Sequence, residues 1–157
     1  MLKAEKLLSD NLFTFIESNY LRVKYSGYSY RSNVGPGLGY HILKSDTQKL
    51  KTSVNALFSK DKNEGGSATK EESYSAYKVA LAYELNLNAN TTFKESSEYQ
   101  SGDSENYFVT SLTELNVKMS DTLSLGVSYK LDYQDSPVAT GTKRIDRTFL
   151  TSLIIDY

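Results

Sequence analysis

Residues 123–133 alternate without interruption between large apolar side chains and small or charged ones: Leu123-Ser124-Leu125-Gly126-Val127-Ser128-Tyr129-Lys130-Leu131-Asp132-Tyr133. A period of two residues is typical of a β-strand with two unlike faces, because successive side chains point to opposite sides of the strand. Residues 77–85 repeat the pattern, and in residues 34–42 the apolar positions alternate with glycines and His41. The sequence therefore predicts an all-β protein.

Weaker alternation marks further segments, so that the chain holds about eight predicted strands. These segments are residues 12–23, 50–60, 91–99, 107–118 and 144–157. Short turns rich in Ser, Asp and Asn occupy residues 45–47, 88–90 and 120–122, and longer connections occupy residues 24–30, 61–72, 100–105 and 135–143. In antiparallel order all the short turns fall at one end of the strands. This asymmetry is typical of an antiparallel up-and-down transmembrane β-barrel.

The length of the chain fits a single β-barrel domain over residues 1–157. One turn sequence is repeated, because Leu8-Ser9-Asp10-Asn11-Leu12 parallels Met119-Ser120-Asp121-Thr122-Leu123. The repeat predicts another strand before residue 9. We therefore expect residues 1–8 to be the remnant of an upstream strand, and a full-length barrel of about 10 to 12 strands.

The charged face of the alternating strands predicts the interior of the barrel. It combines Gly and Ala with Lys, Glu and Asp, and small residues mixed with opposite charges suit a narrow lumen in which charges pair. The predicted lumen-facing residues are His41, Lys78, Glu84, Glu114, Lys130 and Asp132. The apolar face then contacts lipid, and its predicted members are Leu81, Leu123, Leu125, Val127, Leu131, Phe149, Leu153 and Ile155.

The 13 tyrosines and the phenylalanines concentrate toward the two ends of the predicted strands. Aromatic side chains with a polar tip favour the membrane–water interface, so the sequence predicts two aromatic girdles. The girdle near the long connections would hold Tyr20, Tyr25, Tyr28, Tyr30, Tyr74, Tyr77, Tyr99, Tyr107 and Tyr133. The girdle near the short turns would hold Phe13, Phe15, Tyr40, Tyr83, Phe93 and Tyr157. Tyrosine is also a good strand former, so its abundance alone does not identify a membrane protein.

The last predicted strand ends in alternate apolar residues and a C-terminal aromatic residue, as outer-membrane barrel proteins typically do. The predicted C-terminal assembly signal consists of Phe149, Leu153, Ile155 and Tyr157. Through this strand we expect the chain to bind the barrel-assembly machinery.

Composition excludes several functional classes. Lys plus Arg number 18 against 19 Asp plus Glu, so there is no basic excess to bind nucleic acid. The absence of Cys excludes disulfides and thiolate zinc sites, and no cofactor or metal site is predicted. The segment from Met1 to Leu8 lacks the apolar core of a signal peptide. No apolar run approaches the ~18 residues that a membrane-spanning helix requires.

Catalysis is not expected, because the chemistry that small barrels use for lipid hydrolysis requires a Ser or Thr nucleophile beside a His base. His41 is the sole histidine, and it lies on the small-residue face, where a packed interior histidine is favoured. Carboxylates predicted in or beside the long connections could bind Ca²⁺, but their spacing follows no ordered ligand pattern and solvated loops are favoured. These are Glu71, Glu72, Glu95, Glu98, Asp103 and Glu105.

Several segments together resemble a known bacterial family. They are Leu8-Ser9-Asp10-Asn11-Leu12-Phe13, Tyr25-Ser26-Gly27-Tyr28-Ser29-Tyr30-Arg31, Gly35-Pro36-Gly37-Leu38-Gly39-Tyr40, Ser101-Gly102-Asp103, residues 123–129 and residues 151–157. Over nearly its whole length the chain resembles the C-terminal portion of the salt-induced outer-membrane proteins, domain-of-unknown-function family 481. The resemblance implies a location in the bacterial outer membrane and supplies no established activity or catalytic residue.

The expected function is a structural, envelope-stress role in the salt response, with outer-membrane lipid and lipopolysaccharide as partners. A narrow pore for small solutes fits the same pattern if further strands widen the lumen. One alternative is a soluble lipocalin-like barrel whose apolar face encloses an apolar ligand. Another is an outer-membrane lipid-modifying enzyme, which would depend on His41.

Overall fold

The computed structural model describes residues 2–23, 28–63, 70–101, 107–135 and 144–155. These residues form nine β-strands in a single sheet. The strands are β1 (Leu2–Leu7), β2 (Leu12–Val23), β3 (Tyr28–Lys44), β4 (Gln48–Asn63), β5 (Lys70–Asn88), β6 (Thr91–Ser101), β7 (Tyr107–Lys118), β8 (Leu123–Gln134) and β9 (Ile145–Ile155). No helix in this part of the chain is long and apolar enough to cross a membrane.

Each strand pairs with its neighbours in sequence, and every pair is antiparallel. The predicted all-β, antiparallel, up-and-down fold is therefore confirmed. The predicted closure is not found, because among the described residues β1 and β9 do not pair and the sheet stays open. With nine alternating strands, β1 and β9 run in the same direction, so that direct pairing between them would be parallel.

The structure has nine strands where about eight were predicted, and the additional strand is β1. Its presence agrees with the strand that the repeated turn sequence predicted before residue 9. The two turns also share their hydrogen bonds: the backbone N–H of Leu8 donates to the carbonyl of Leu12 at 2.8 Å, and that of Met119 donates to the carbonyl of Leu123 at 2.8 Å.

The predicted long connection at residues 61–72 is shorter than expected. Strands β4 and β5 continue to pair through Asp61 with Glu72 and end with Asn63 opposite Lys70. The strands β2 and β7 begin and end where the alternation predicted. Residues 24–27, 102–106 and 136–143, which belong to the other predicted connections, lie outside the described residues.

One face of this single-layer sheet is buried, although no second layer covers it. Phe13, Phe15 and Leu57 are at most 4% exposed, whereas Ile16, Leu38 and Val54 on the opposite face are each more than half exposed. A single sheet can bury one face only by curling around it. We call the face that carries Phe13, Gly37, Asn55 and Lys78 the concave face, and the face that carries Ile16, Leu38, Val54 and Val79 the convex face.

Glycines on β3 allow phenylalanine rings to lie directly on the backbone. A Cβ atom at Gly37 would lie 2.6 Å from Cε1 of Phe15, and one at Gly39 would lie 2.5 Å from Cε2 of Phe13. Aromatic rings that cover glycines in a neighbouring strand are a known device for building strongly curved sheets. Phe13 and Phe15 were expected in the girdle near the short turns, and that prediction is wrong, because both rings fill the concave face.

The strands are staggered along the sheet. This can be traced by moving from each residue to its partner on the next strand. The path begins at Phe13, beside the turn before β2, and ends at Asp146, at the start of β9 beside the long connection after β8. The path passes through Gly39, Ser53, Ala80, Glu98, Thr110 and Asp132. One row of backbone pairs therefore crosses from one end of the strands to the other. Such a stagger accompanies the tilt of strands in a barrel wall.

Candidate functional site on the concave face

The strand register places the two predicted sets on opposite faces. His41, Lys78, Glu84, Glu114, Lys130 and Asp132 all lie on the concave face. The predicted lipid-facing residues Leu81, Leu123, Leu125, Val127, Leu131, Phe149, Leu153 and Ile155 all lie on the convex face. Tyr157 of the predicted assembly signal lies outside the described residues.

The centre of the concave face is an ion pair between Lys78 on β5 and Glu17 on β2. Lys78 Nζ donates a short hydrogen bond to Glu17 Oε1, and the two residues are 7% and 5% exposed. The bond crosses β3 and β4, because Glu17 pairs with Gly35 on β3 and Lys78 pairs with Asn55 on β4. Glu98 Oε2 lies 3.8 Å from the same ammonium group. The pair therefore joins two strands that are not neighbours in the sheet and holds the curl closed.

Four buried polar atoms surround this ion pair and have no hydrogen-bond partner in the described part of the chain. They are Asn33 Oδ1, both amide atoms of Asn55, and Ser59 Oγ. Asn55 is 3% exposed and Ser59 is 1% exposed. Asn33 pairs across strands with Ser59, and Asn55 lies between Gly37 and Lys78. Because buried polar groups usually bond to water when protein partners are absent, the arrangement can hold water or a small polar solute.

The part of the concave face formed by β6–β9 is more open. Lys130 Nζ lies 2.6 Å from Asp132 Oδ2, with the two side chains 44% and 39% exposed. Thr110 donates a hydrogen bond of 2.8 Å to the same aspartate. Glu84 lies 2.9 Å from Lys49 and 3.4 Å from Lys94. Charges on the concave face thus pair with one another, buried at Lys78 and Glu17 and solvated at Glu84 and Lys130.

The concave face has few features of a catalytic or metal centre. The ring of His41 packs against Phe13, with 5.1 Å between ring centroids. Among the described residues, no group of three or more His, Cys, Asp or Glu could hold a metal ion. This face offers charge pairing, amide groups and a hydroxyl group.

Sequence reasoning missed part of this site. It did not assign Glu17, Asn33, Asn55 or Ser59, and it grouped Glu98 with the carboxylates in or beside the long connections; Glu98 lies within β6, as the strand predicted at residues 91–99 implied. The alternation could have indicated Asn33, because an even number of residues separates it from Gly39 and the two therefore share a face of β3. The register between β3 and β4 places Ser59 and Asn55 on that face as well.

Tyrosine rings form a continuous row on the convex face near the long connections. The centroid distances are 5.9 Å from Tyr77 to Tyr99, 5.7 Å from Tyr99 to Tyr107 and 5.7 Å from Tyr107 to Tyr133. This row spans four strands, β5–β8. Tyr20 and Tyr30 stack in the same way on β2 and β3. The tyrosines predicted to share one end of the strands do so, as far as the described residues extend, but Tyr74 lies on the concave face opposite Ser59 and is not part of an outward-facing girdle.

The family model described as "Protein of unknown function, DUF481" matches residues 2–157. No curated protein and no solved structure matches the chain. The match covers every strand of the sheet and agrees with the family that the sequence segments indicated. The chain therefore belongs to the DUF481 family.

Proposed function

We propose that the chain forms a wall of a transmembrane β-barrel in the bacterial outer membrane, with the convex face against lipid and lipopolysaccharide. The observation that carries the proposal is the distribution of residues between the faces. Buried charges, amides and glycines lie on the concave face together with Phe13, Phe15 and Leu57, while a continuous set of large apolar residues lies exposed on the convex face. A soluble protein has the reverse arrangement, because apolar burial drives its folding.

The exposed apolar surface of the convex face is continuous across strands. Val34, Leu38, Val54, Phe58, Val79 and Leu81 are each between 42% and 57% exposed. A shallow apolar groove on this face is lined by Leu38, Thr52 and Val54. A contiguous patch of this kind marks an interaction surface in water, whereas in a bilayer it is the expected outer wall of a barrel.

We assign the chain a structural, envelope-adaptive role, and the resemblance to salt-induced outer-membrane proteins supports a salt response. We propose no enzymatic activity, no cofactor and no nucleic-acid partner, and we propose assembly through the C-terminal strand. Passage of small solutes along the open side of the concave face, near β6–β9, is compatible with this role. The packing of His41 against Phe13 favours a structural histidine over a catalytic one.

The main alternative is a soluble barrel that encloses an apolar ligand. That function requires the alternating apolar residues to line the cavity. The curl of the sheet instead directs them away from it, and Lys78, Glu17 and Asn55 occupy the interior. The geometry therefore supports the membrane proposal over the soluble one.

The same change on opposite faces tests the proposal. Leu81 lies on the convex face, and Leu112, two strands away, lies on the concave face, where it pairs with Ser96 and Lys130. We expect Leu81→Arg to lower the free energy of unfolding in lipid vesicles by about 2–4 kcal/mol, because it places a cation in hydrocarbon. The Leu112→Arg control should lower the free energy of unfolding much less, since its cation faces a polar interior. Denaturant titration in vesicles measures both, and equal losses would contradict the assigned orientation.

A further inference from the structure

Burial on the concave face changes abruptly along β4. Lys51 is exposed and Ser53 is partly exposed. Asn55 and Ser59, further along the same face of the strand, are buried. The change falls at Asn55, which pairs across strands with Lys78 on β5. Lys78 therefore lies where the part of the concave face that solvent reaches meets the part that solvent does not reach.

The Lys78 ammonium group lies between two carboxylates at this boundary. It is bound to Glu17 on the buried side, and Glu98 Oε2 lies 3.8 Å away on the solvated side. The side chain of Glu98 is 50% exposed, whereas that of Glu17 is 7% exposed. A small movement of the lysine side chain therefore exchanges one ion pair for the other without leaving the ammonium group unpaired.

Each of the two ion pairs leaves a different set of buried groups unsatisfied. With Lys78 on Glu17, the buried charges are paired, but polar atoms of Asn55 and Ser59 have no hydrogen-bond partner in the described part of the chain. With Lys78 on Glu98, the Glu17 carboxylate requires water, and water that enters to hydrate it also reaches those polar atoms. The costs of the two arrangements therefore oppose each other, as an element with two states requires.

We propose that Lys78 is a gate that controls the entry of water and small ions into the buried part of the concave face. The gate is closed while Lys78 binds Glu17, which is the predominant state, and open while it binds Glu98. In the open state the path runs along β4 from Ser53 to Ser59. This inference rests on the proposed function, in which the concave face lines the lumen of a barrel. It adds a controlled route to the open side near β6–β9.

The reactivity of an introduced thiol tests the gate, because the chain has no cysteine. Ser59→Cys places a thiol at a position that is 1% exposed on the buried side, and Ser53→Cys places one on the solvated side. Each protein is inserted into phospholipid vesicles and treated, on both sides of the membrane, with a small, positively charged methanethiosulfonate. We expect Ser59→Cys to react about tenfold more slowly than Ser53→Cys, because only the minor open state admits the reagent.

Two carboxylate variants in the Ser59→Cys background identify the gate. Glu17→Gln removes the partner of the closed state, so Lys78 moves to Glu98 and the thiol should react about tenfold faster. Glu98→Gln removes the partner of the open state, so the thiol should react about tenfold more slowly. Each variant removes one negative charge from the same face, so a general electrostatic effect on the reagent would change both rates in the same direction. A slower reaction also cannot come from lost stability, which would expose the thiol.

The outcomes separate this inference from the proposed function. Opposite changes of rate in Glu17→Gln and Glu98→Gln support the gate. Changes in the same direction or unchanged rates overturn it, as does a Ser59→Cys protein that reacts as fast as Ser53→Cys. Flotation of the vesicles measures insertion separately, so protein that inserts but gives these contrary rates overturns the gate alone. Protein that does not associate with vesicles overturns the membrane location and the gate with it.

Discussion

Replacing Lys78 with methionine is expected to lower the free energy of unfolding by about 3–5 kcal/mol, because it leaves the Glu17 carboxylate buried without a counter-charge. Glu17 is 5% exposed, so water cannot readily take the place of the ammonium group. The variant also removes the bond that joins β2 to β5 across two strands. Denaturant titration of the protein folded in vesicles measures the loss.

Two further variants isolate the cause of this effect. Lys130→Met removes the cation of an ion pair whose side chains are 44% and 39% exposed, and it should cost at most about 1 kcal/mol. Adding Glu17→Gln to Lys78→Met removes the stranded charge and should recover a substantial part of the stability. If Lys78→Met and Lys130→Met lower the free energy of unfolding by equally small amounts, the interior near Glu17 is hydrated and the ion pair does not hold the curl.

Replacing Gly35 with alanine is expected to destabilise the fold by about 3 kcal/mol through overpacking. The added Cβ would lie 2.8 Å from the carbonyl carbon of Ala56 and 3.0 Å from Cα of Leu57, and both atoms belong to the backbone of β4. A backbone in the middle of a paired strand cannot move aside without breaking its hydrogen bonds. The loss is measured by the same titration.

The matched control for Gly35 is Gly126, which also lies on the concave face. There the added Cβ would meet Ser152 Oγ at 2.6 Å and Asn116 Oδ1 at 3.0 Å. Both atoms are ends of side chains that can rotate away, so Gly126→Ala should cost less than about 1 kcal/mol. Similar losses for the two alanine variants would show that close strand packing at Gly35 does not set the curvature.

Strand positions could be predicted from the sequence wherever the two faces of a strand meet different surroundings. The strand β8 follows its alternation almost to the residue, because every second side chain is apolar from Leu123 to Tyr133. The extensions of β4 and β5 to Asn63 and Lys70 carry polar residues on both faces. Periodicity vanishes there, although backbone pairing continues, and the sequence therefore indicated a loop.

The contents of the concave face could be predicted only in part. Alternation assigned Lys78 to the interior, but finding its partner required knowing which strands the curl brings together. Glu17 is 61 residues away and three strands distant. Phe13 and Phe15 were misassigned for a related reason. The glycines that lie opposite them on β3 make room for their rings on the concave face, and this pairing depends on the register rather than on the sequence of β2.

Openness of the sheet is the remaining difference between prediction and structure. The alternation and the turn lengths indicated a closed barrel. The burial of one face indicates the curl, and the register shows the stagger, that a barrel requires. Neither property specifies which strand meets β9. Closure depends on pairing between distant strand edges, for which the described residues provide no partner.

The assignment of the convex face to lipid is tested most directly by the fluorescence quenching of a single tryptophan placed on each face. The chain has no tryptophan, so Leu81→Trp and Leu112→Trp each introduce a unique fluorophore. The two positions lie at similar depth, because Leu81 is seven residues from the short-turn end of β5 at Asn88 and Leu112 is six residues from the short-turn end of β7 at Lys118.

Each variant is folded into vesicles whose lipids carry bromine in the middle of the acyl chains, a group that quenches tryptophan on contact. We expect strong quenching of Leu81→Trp and little quenching of Leu112→Trp, because we propose that only the convex face meets hydrocarbon. Equal quenching of the two, or stronger quenching of Leu112→Trp, would contradict the assignment of the convex face to lipid.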